Sequence, residues 1–72
     1  MDRNEIGRRL ETLRGDRTQA EVAEALGISQ SAIAMYETGV RIPRDEIKVK
    51  LAEYFGVPVQ DIFFADADNS SL

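Results

Sequence analysis

Three residue types are missing from this chain altogether: cysteine, histidine and tryptophan. Without cysteine there is no disulfide and no thiolate, which excludes a cross-linked scaffold and a thiol nucleophile and points to a reducing compartment. Without histidine there is no imidazole to bind a metal or pass protons near neutrality. Long apolar runs are missing too. The longest are a few residues, such as Ile62-Phe63-Phe64-Ala65, against the ~20 that a membrane-spanning helix requires. The opening residues, Met1-Asp2-Arg3-Asn4-Glu5, are charged with no apolar stretch behind them, so no secretion signal is expected and the expected location is cytoplasmic. Basic charge is in deficit, at nine Lys and Arg against thirteen Asp and Glu, a net charge of −4. Nonspecific affinity for nucleic acid comes from bases neutralising phosphates, so the overall balance argues against that partner.

What is present is globular. The 72 residues make one domain, and 43% hydrophobic with 31% charged residues is the composition of a folded protein. A chain this short buries only ~60% of its unfolded surface, so its core is small. The charges are also unevenly placed. Residues 1–17 hold five arginines against four acids, and residues 41–50 hold four bases against two. Residues 51–72 hold four acids and no base. The acidic end therefore need not face the same partner as the basic one.

No repeat is found, and no period-two alternation or Asn-Gly or Asp-Gly hairpin turn, so the expected class is all-α with five short helices. The domain is expected over residues 1–65 and a short polar tail over 66–72. Helix one is expected over about residues 3–13, with Ile6, Leu10 and Leu13 at i, i+4 and i+7 and Gly15-Asp16 as its stop. Helix two starts at Thr18, where Thr18-Gln19-Ala20-Glu21 is a capping box, and buries Val22, Ala23 and Leu26. Gly27 ends it, since the residue after a helix usually needs positive φ. Ser29 caps helix three, with Ile33 and Tyr36 inward and Gly39 as its stop. Helix four follows Pro43 with Asp45 and Glu46 in its first turn and Ile47, Leu51, Tyr54 and Phe55 on one face. Pro58 suits the first turn of a fifth helix that ends near Phe63.

Residues 19–37 carry the functional signal. Two helices joined by a three- to four-residue turn cross steeply, which demands a small residue inside the elbow and a positive-φ residue at the turn. Ala23 and Gly27 stand there, and Val22, Leu26, Ile28, Ile33 and Tyr36 are spaced to share one core. The stretch Thr18-Gln19-Ala20-Glu21-Val22-Ala23-Glu24-Ala25-Leu26-Gly27-Ile28-Ser29-Gln30, with Ile33, Glu37-Thr38-Gly39 and Pro43, resembles the Cro/cI-type helix-turn-helix family of lambdoid-repressor-like regulators. The resemblance covers about residues 5–64 and ends on Phe55-Gly56-Val57 and Asp61-Ile62-Phe63. It implies a five-helix, lambda-repressor-like domain, usually dimeric, that binds operator DNA to control transcription. Three features depart from the family: the link Gly15-Asp16-Arg17 is short, Arg17 stands where an apolar residue commonly precedes Thr-Gln, and the overall acidity is less typical of a strong operator binder.

Residues at the start of a recognition helix reach base edges in the major groove. Gln30 can pair bidentately with adenine, Ser31 can donate or accept, and Met35 can meet a thymine methyl. By resemblance these three match the family's base-reading positions. Gln19 resembles its phosphate-clamping glutamine, and Ser29, Thr38, Arg41 and Arg44 lie where backbone contacts are expected, though a lone arginine is as easily only solvated. Of Lys48 and Lys50, at most one helps. Arg9 and Glu37 border the apolar stripes, and the family pairs these positions in a partly buried ion pair. Val57, Val59, Phe63 and Phe64 offer more apolar surface than a short last helix buries, which leaves two readings: all point inward, or they form a symmetric dimer interface. Expected partners are a two-fold symmetric double-stranded operator, a second copy and a regulatory protein. No cofactor or metal is expected, and no membrane. An enzyme is disfavoured, since no phosphate loop, nucleophile elbow or metal spacing occurs. The rival class is a protein-interaction module, antitoxin-like or co-regulatory, on the same scaffold.

Overall fold

A computed structural model describes residues 2–64, and the expected tail over 66–72 lies outside them. Five helices follow in order: α1 (Arg3–Arg14), α2 (Gln19–Leu26), α3 (Gln30–Glu37), α4 (Asp45–Phe55) and α5 (Val59–Phe63). No strand occurs among the described residues, so the all-α class holds. None of the helices is long and apolar enough to cross a membrane.

Local hydrogen bonds start the helices where the sequence places them. The Asp2 carboxylate accepts from the Asn4 and Glu5 N–H groups, at 2.9 and 3.4 Å, ahead of α1. Thr18 and Glu21 close the capping box, Oγ1 accepting from the Glu21 N–H at 3.0 Å and the Glu21 carboxylate from the Thr18 N–H at 3.1 Å. Ser29 Oγ accepts from the Ala32 N–H at 3.1 Å. Two ends differ slightly from expectation. Helix α1 runs one residue further, through Arg14. Pro58 precedes α5 as its cap instead of standing in its first turn, which suits a residue with no N–H to donate.

The core collects one face from every helix: Ile6 and Leu10, Val22 and Ala23, Ile33 and Tyr36, Leu51, and Ile62 with Phe63. Each of the buried Val, Leu, Ile and Phe side chains contributes ~1.5–3 kcal/mol, the main source of stability here. Leu13, expected in the stripe, is only half-buried and lines an open groove of about 420 Å³ between α1 and α5. The elbow between α2 and α3 turns at Gly27, whose φ of 73° lies in the left-handed region that side chains disfavour.

A second glycine sets how closely two helices meet. Gly7, inside α1, lies directly on the exit of α3. A Cβ built there meets the Glu37 carbonyl carbon at 2.7 Å and the Tyr36 carbonyl oxygen at 3.0 Å. Only hydrogen in place of a side chain allows this approach, which explains a residue that otherwise weakens a helix by ~1 kcal/mol. One turn earlier, Asn4 and Arg3 sit against Gly39. Helix α1 thus rests across the C-terminal end of α3.

Candidate nucleic-acid interface

Helix α3 is held at one end and open at the other. At its start, Gln30 and Ser31 are exposed, and their side chains make no hydrogen bond among the described residues. Met35, one turn on, is half-buried. Eight residues make a helix about 12 Å long, comparable with the ~12 Å width of the major groove. At its far end, Glu37 is the centre of a polar cluster, with only 6% of its side chain exposed.

Arg14 grips Glu37 with two parallel bonds, Nε to Oε2 at 2.6 Å and Nη2 to Oε1 at 3.0 Å. Its third nitrogen, Nη1, donates to the Arg17 carbonyl at 2.8 Å. Gln19 Nε2 donates to Glu37 Oε1 at 2.9 Å. The hydrogen bonds it donates to Glu37 raise the pKa of the Arg14 guanidinium above its ordinary value, so it stays charged at any working pH. A carboxylate at a helix C-terminus opposes the macrodipole and, near DNA, repels phosphate. Pairing with Arg14 cancels that charge in place.

The expected Arg9–Glu37 pair is therefore corrected to Arg14–Glu37. The reason is rotation about α1. Gly7, which touches the Glu37 backbone, and Arg14 are seven residues apart and share a face, whereas Arg9 lies about 200° round from Gly7. Side chains tilt toward the helix N-terminus, so Arg14 reaches back to the turn where α3 exits. Arg9 instead faces α5: its Nη1 donates to the Ile62 carbonyl at 2.7 Å and its Nη2 to Glu5 at 3.1 Å.

The remaining expected positions are distributed as follows. Gln19 is half-buried with one amide hydrogen committed to Glu37. Its second amide hydrogen and the N–H groups of Gln19 and Ala20, which have no acceptor within α2, remain available. Ser29 Oγ accepts from its own helix and keeps its proton to donate. Thr38 is different. Its hydroxyl donates to the Ala34 carbonyl at 2.9 Å, so a phosphate contact requires that bond to break. Arg41 and Arg44 are exposed on either side of the buried Pro43. The N–H groups of Val40 and Arg41 both bond the Met35 carbonyl, folding this loop onto the last turn of α3. Arg3, absent from the expected contacts, joins the loop through Nη1 to the Val40 carbonyl at 3.4 Å.

Both lysines of α4 are occupied within the fold. Lys48 is buried, its Nζ 5.7 and 5.4 Å from the ring centres of Phe63 and Phe64. Lys50 Nζ reaches the Leu26 carbonyl at 3.4 Å, near the end of α2. Phe63 is fully buried, so its place in an interface is also corrected. Helix α5 wedges between α1 and α4, and each of the adjacent residues Ile62 and Phe63 finds a neighbour to pack on. Val57 and Val59 are half-buried and Phe64 is 49% exposed.

Gly7 and Arg14 escaped the sequence reading. An isolated glycine inside a helical pattern was the available signal for the first. For the second it was that Arg14 follows Leu10 by four residues and so also borders the stripe.

Comparison with known proteins gives a consistent picture. Residues 8–62 match the helix-turn-helix family. The chain is 37% identical over 51 residues to an uncharacterised HTH-type transcriptional regulator of Methanocaldococcus jannaschii, covering 71% of this chain and 77% of that one. It is 36% identical over 47 residues to the cryptic phage CTXphi transcriptional repressor RstR of Vibrio cholerae, covering 65% of this chain and 42% of the repressor. No solved structure matches.

Proposed function

The chain belongs to the helix-turn-helix family, in its Cro/cI-like form, and on that premise we propose that it is a transcriptional regulator that binds double-stranded DNA sequence-specifically. The observation that carries the reading is the asymmetry of α3, whose C-terminal end is bonded to α1 and α2 while Gln30 and Ser31 stand exposed and unbonded at its start. That is the arrangement in which a helix N-terminus enters the major groove. Gln30 reads adenine through N6 and N7, Ser31 and Met35 assist, and Gln19, Ser29, Arg41 and Arg44 hold phosphates. The likeness to a phage repressor favours repression as the output.

Two copies joined through Phe64, Val57 and Val59 set two recognition helices about 34 Å apart, one helical turn of DNA. The test is selection of bound sequences from random duplex DNA with the purified protein. A half-site repeated with two-fold symmetry is expected, and recovery of no enriched sequence refutes the proposal. The net charge of −4 favours a second reading, a protein-interaction module on the same scaffold. Salt separates the two, because affinity resting on several phosphate contacts falls steeply with salt and an apolar protein interface does not.

A further inference from the structure

Arg17 occupies the short link between α1 and α2, immediately before the Thr18 cap and Gln19. Although its side chain is exposed, it does not trail into solvent. Its guanidinium carbon lies 5.3 Å from the ring centre of Tyr54 and 5.6 Å from that of Phe55. The two rings meet edge to face at 5.1 Å. Its Nη1 donates to the Leu13 carbonyl at 3.1 Å, in the last turn of α1. Tyr54 and Phe55 end α4, a helix with no basic residue in its last turn. One cation therefore caps the electronegative C-terminal end of α1, a placement the macrodipole favours, while covering the two rings that end α4. The backbone of Arg17 is held as well: its N–H bonds the Arg14 carbonyl at 3.0 Å, and its carbonyl accepts from Arg14 Nη1 at 2.8 Å.

We propose that Arg17 is a positioning residue for DNA binding, its stack on Tyr54 and Phe55 fixing the start of α2 so that Gln19 and the free N–H groups beside it meet a phosphate. The inference rests on the DNA-binding reading. It also accounts for a charged residue at a position that resemblance marks as usually apolar: a planar, weakly hydrated guanidinium covers an aromatic pair much as an apolar side chain does. Arg17 acts through Gln19 and does not touch the DNA.

The test measures affinity against salt concentration for the unsubstituted protein, Arg17→Ala and Arg17→Met, using a random-sequence duplex of roughly 30 base pairs, long enough for two half-sites. Arg17→Ala is expected to weaken binding about threefold to tenfold, the scale of a lost cation–aromatic contact. The slope of log affinity on log salt is expected to stay the same, and Arg17→Met, which still covers the rings, to recover most of the affinity. Amide exchange at Glu21 and Val22, whose N–H groups bond Thr18 at the start of α2, is expected to quicken in Arg17→Ala alone. If both variants lose affinity and the slope flattens by ~0.9, Arg17 is a direct phosphate contact and the proposal is overturned. Unchanged binding by Arg17→Ala overturns it as well, and leaves the DNA-binding reading standing. Failure of the unsubstituted protein to bind the duplex at low salt removes that reading and this inference together.

Discussion

Replacing Glu37 with alanine is the sharpest test of how this domain is held together. The carboxylate is 6% exposed and takes three hydrogen bonds, two from Arg14 and one from Gln19. Its removal leaves Nε and Nη2 of a guanidinium that is 18% exposed without an acceptor. Breaking a buried pair in this way costs about 3–5 kcal/mol. Arg14 keeps some water and its bond to the Arg17 carbonyl, so the lower end, about 3 kcal/mol, is expected. A domain of 72 residues has roughly 4–11 kcal/mol in total, and the melting temperature should fall by roughly 12–24 °C. Urea denaturation of Glu37→Ala, Arg14→Ala and the double variant gives the coupling directly. Most of the loss should appear in either single variant and grow little in the double. The raised guanidinium value means the cationic half is fully present through neutral pH and fades only as pH climbs through that value. The coupling should accordingly be equal at about pH 7 and pH 9. A denaturation midpoint that Glu37→Ala hardly moves refutes the reasoning. So does a larger coupling of Glu37 to Arg9 than to Arg14.

Three further outcomes are expected. Gly7→Ala should destabilise by about 1–3 kcal/mol despite the ~1 kcal/mol gain in helix propensity, because the new methyl meets backbone at Tyr36 and Glu37; a stabilised variant in thermal melts contradicts the close approach. Gln30→Ala should relax specificity at one base pair and cost ~1–3 kcal/mol there, while Gln19→Ala should weaken all sequences alike; footprints and affinities on matched and mismatched duplexes decide. Phe64→Asp should lower the dimer fraction in sedimentation velocity without lowering the folding stability by more than about 1 kcal/mol, whereas an unchanged distribution removes Phe64 from any interface.

The fold was legible wherever the deciding interactions were local. Thr18 and Glu21 are three residues apart and cap each other whatever surrounds them, and Gly27 needs only the backbone to explain it. The apolar spacings of α2 and α3 then leave one way to close the elbow. Arg9 and Arg14 mark where that legibility stops. Both border the stripe of α1, and the choice between them depends on how α1 crosses α3, which Gly7 decides through a contact thirty residues along the chain. Phe63 is a similar case. Five residues give too few turns to reveal that α5 is enclosed on two sides. The proposed DNA-facing positions follow from their place at a helix start and from resemblance, and the geometry adds what both lack: the Thr38 hydroxyl donates its hydrogen bond to the Ala34 carbonyl, and the two lysines of α4 are engaged elsewhere.

The division of α3 into a fastened rear and a bare front bears on how such a protein changes over generations. Exchanging Gln30 or Ser31 for another polar residue disturbs no internal bond, and surface changes of that kind usually shift stability by no more than ~0.5 kcal/mol. On the proposed DNA-reading role of α3, preference for one target can therefore drift, or be rewritten by hand, while the scaffold underneath goes on folding as before. The same freedom ends within two turns, where a single exchange at Glu37 threatens the whole domain.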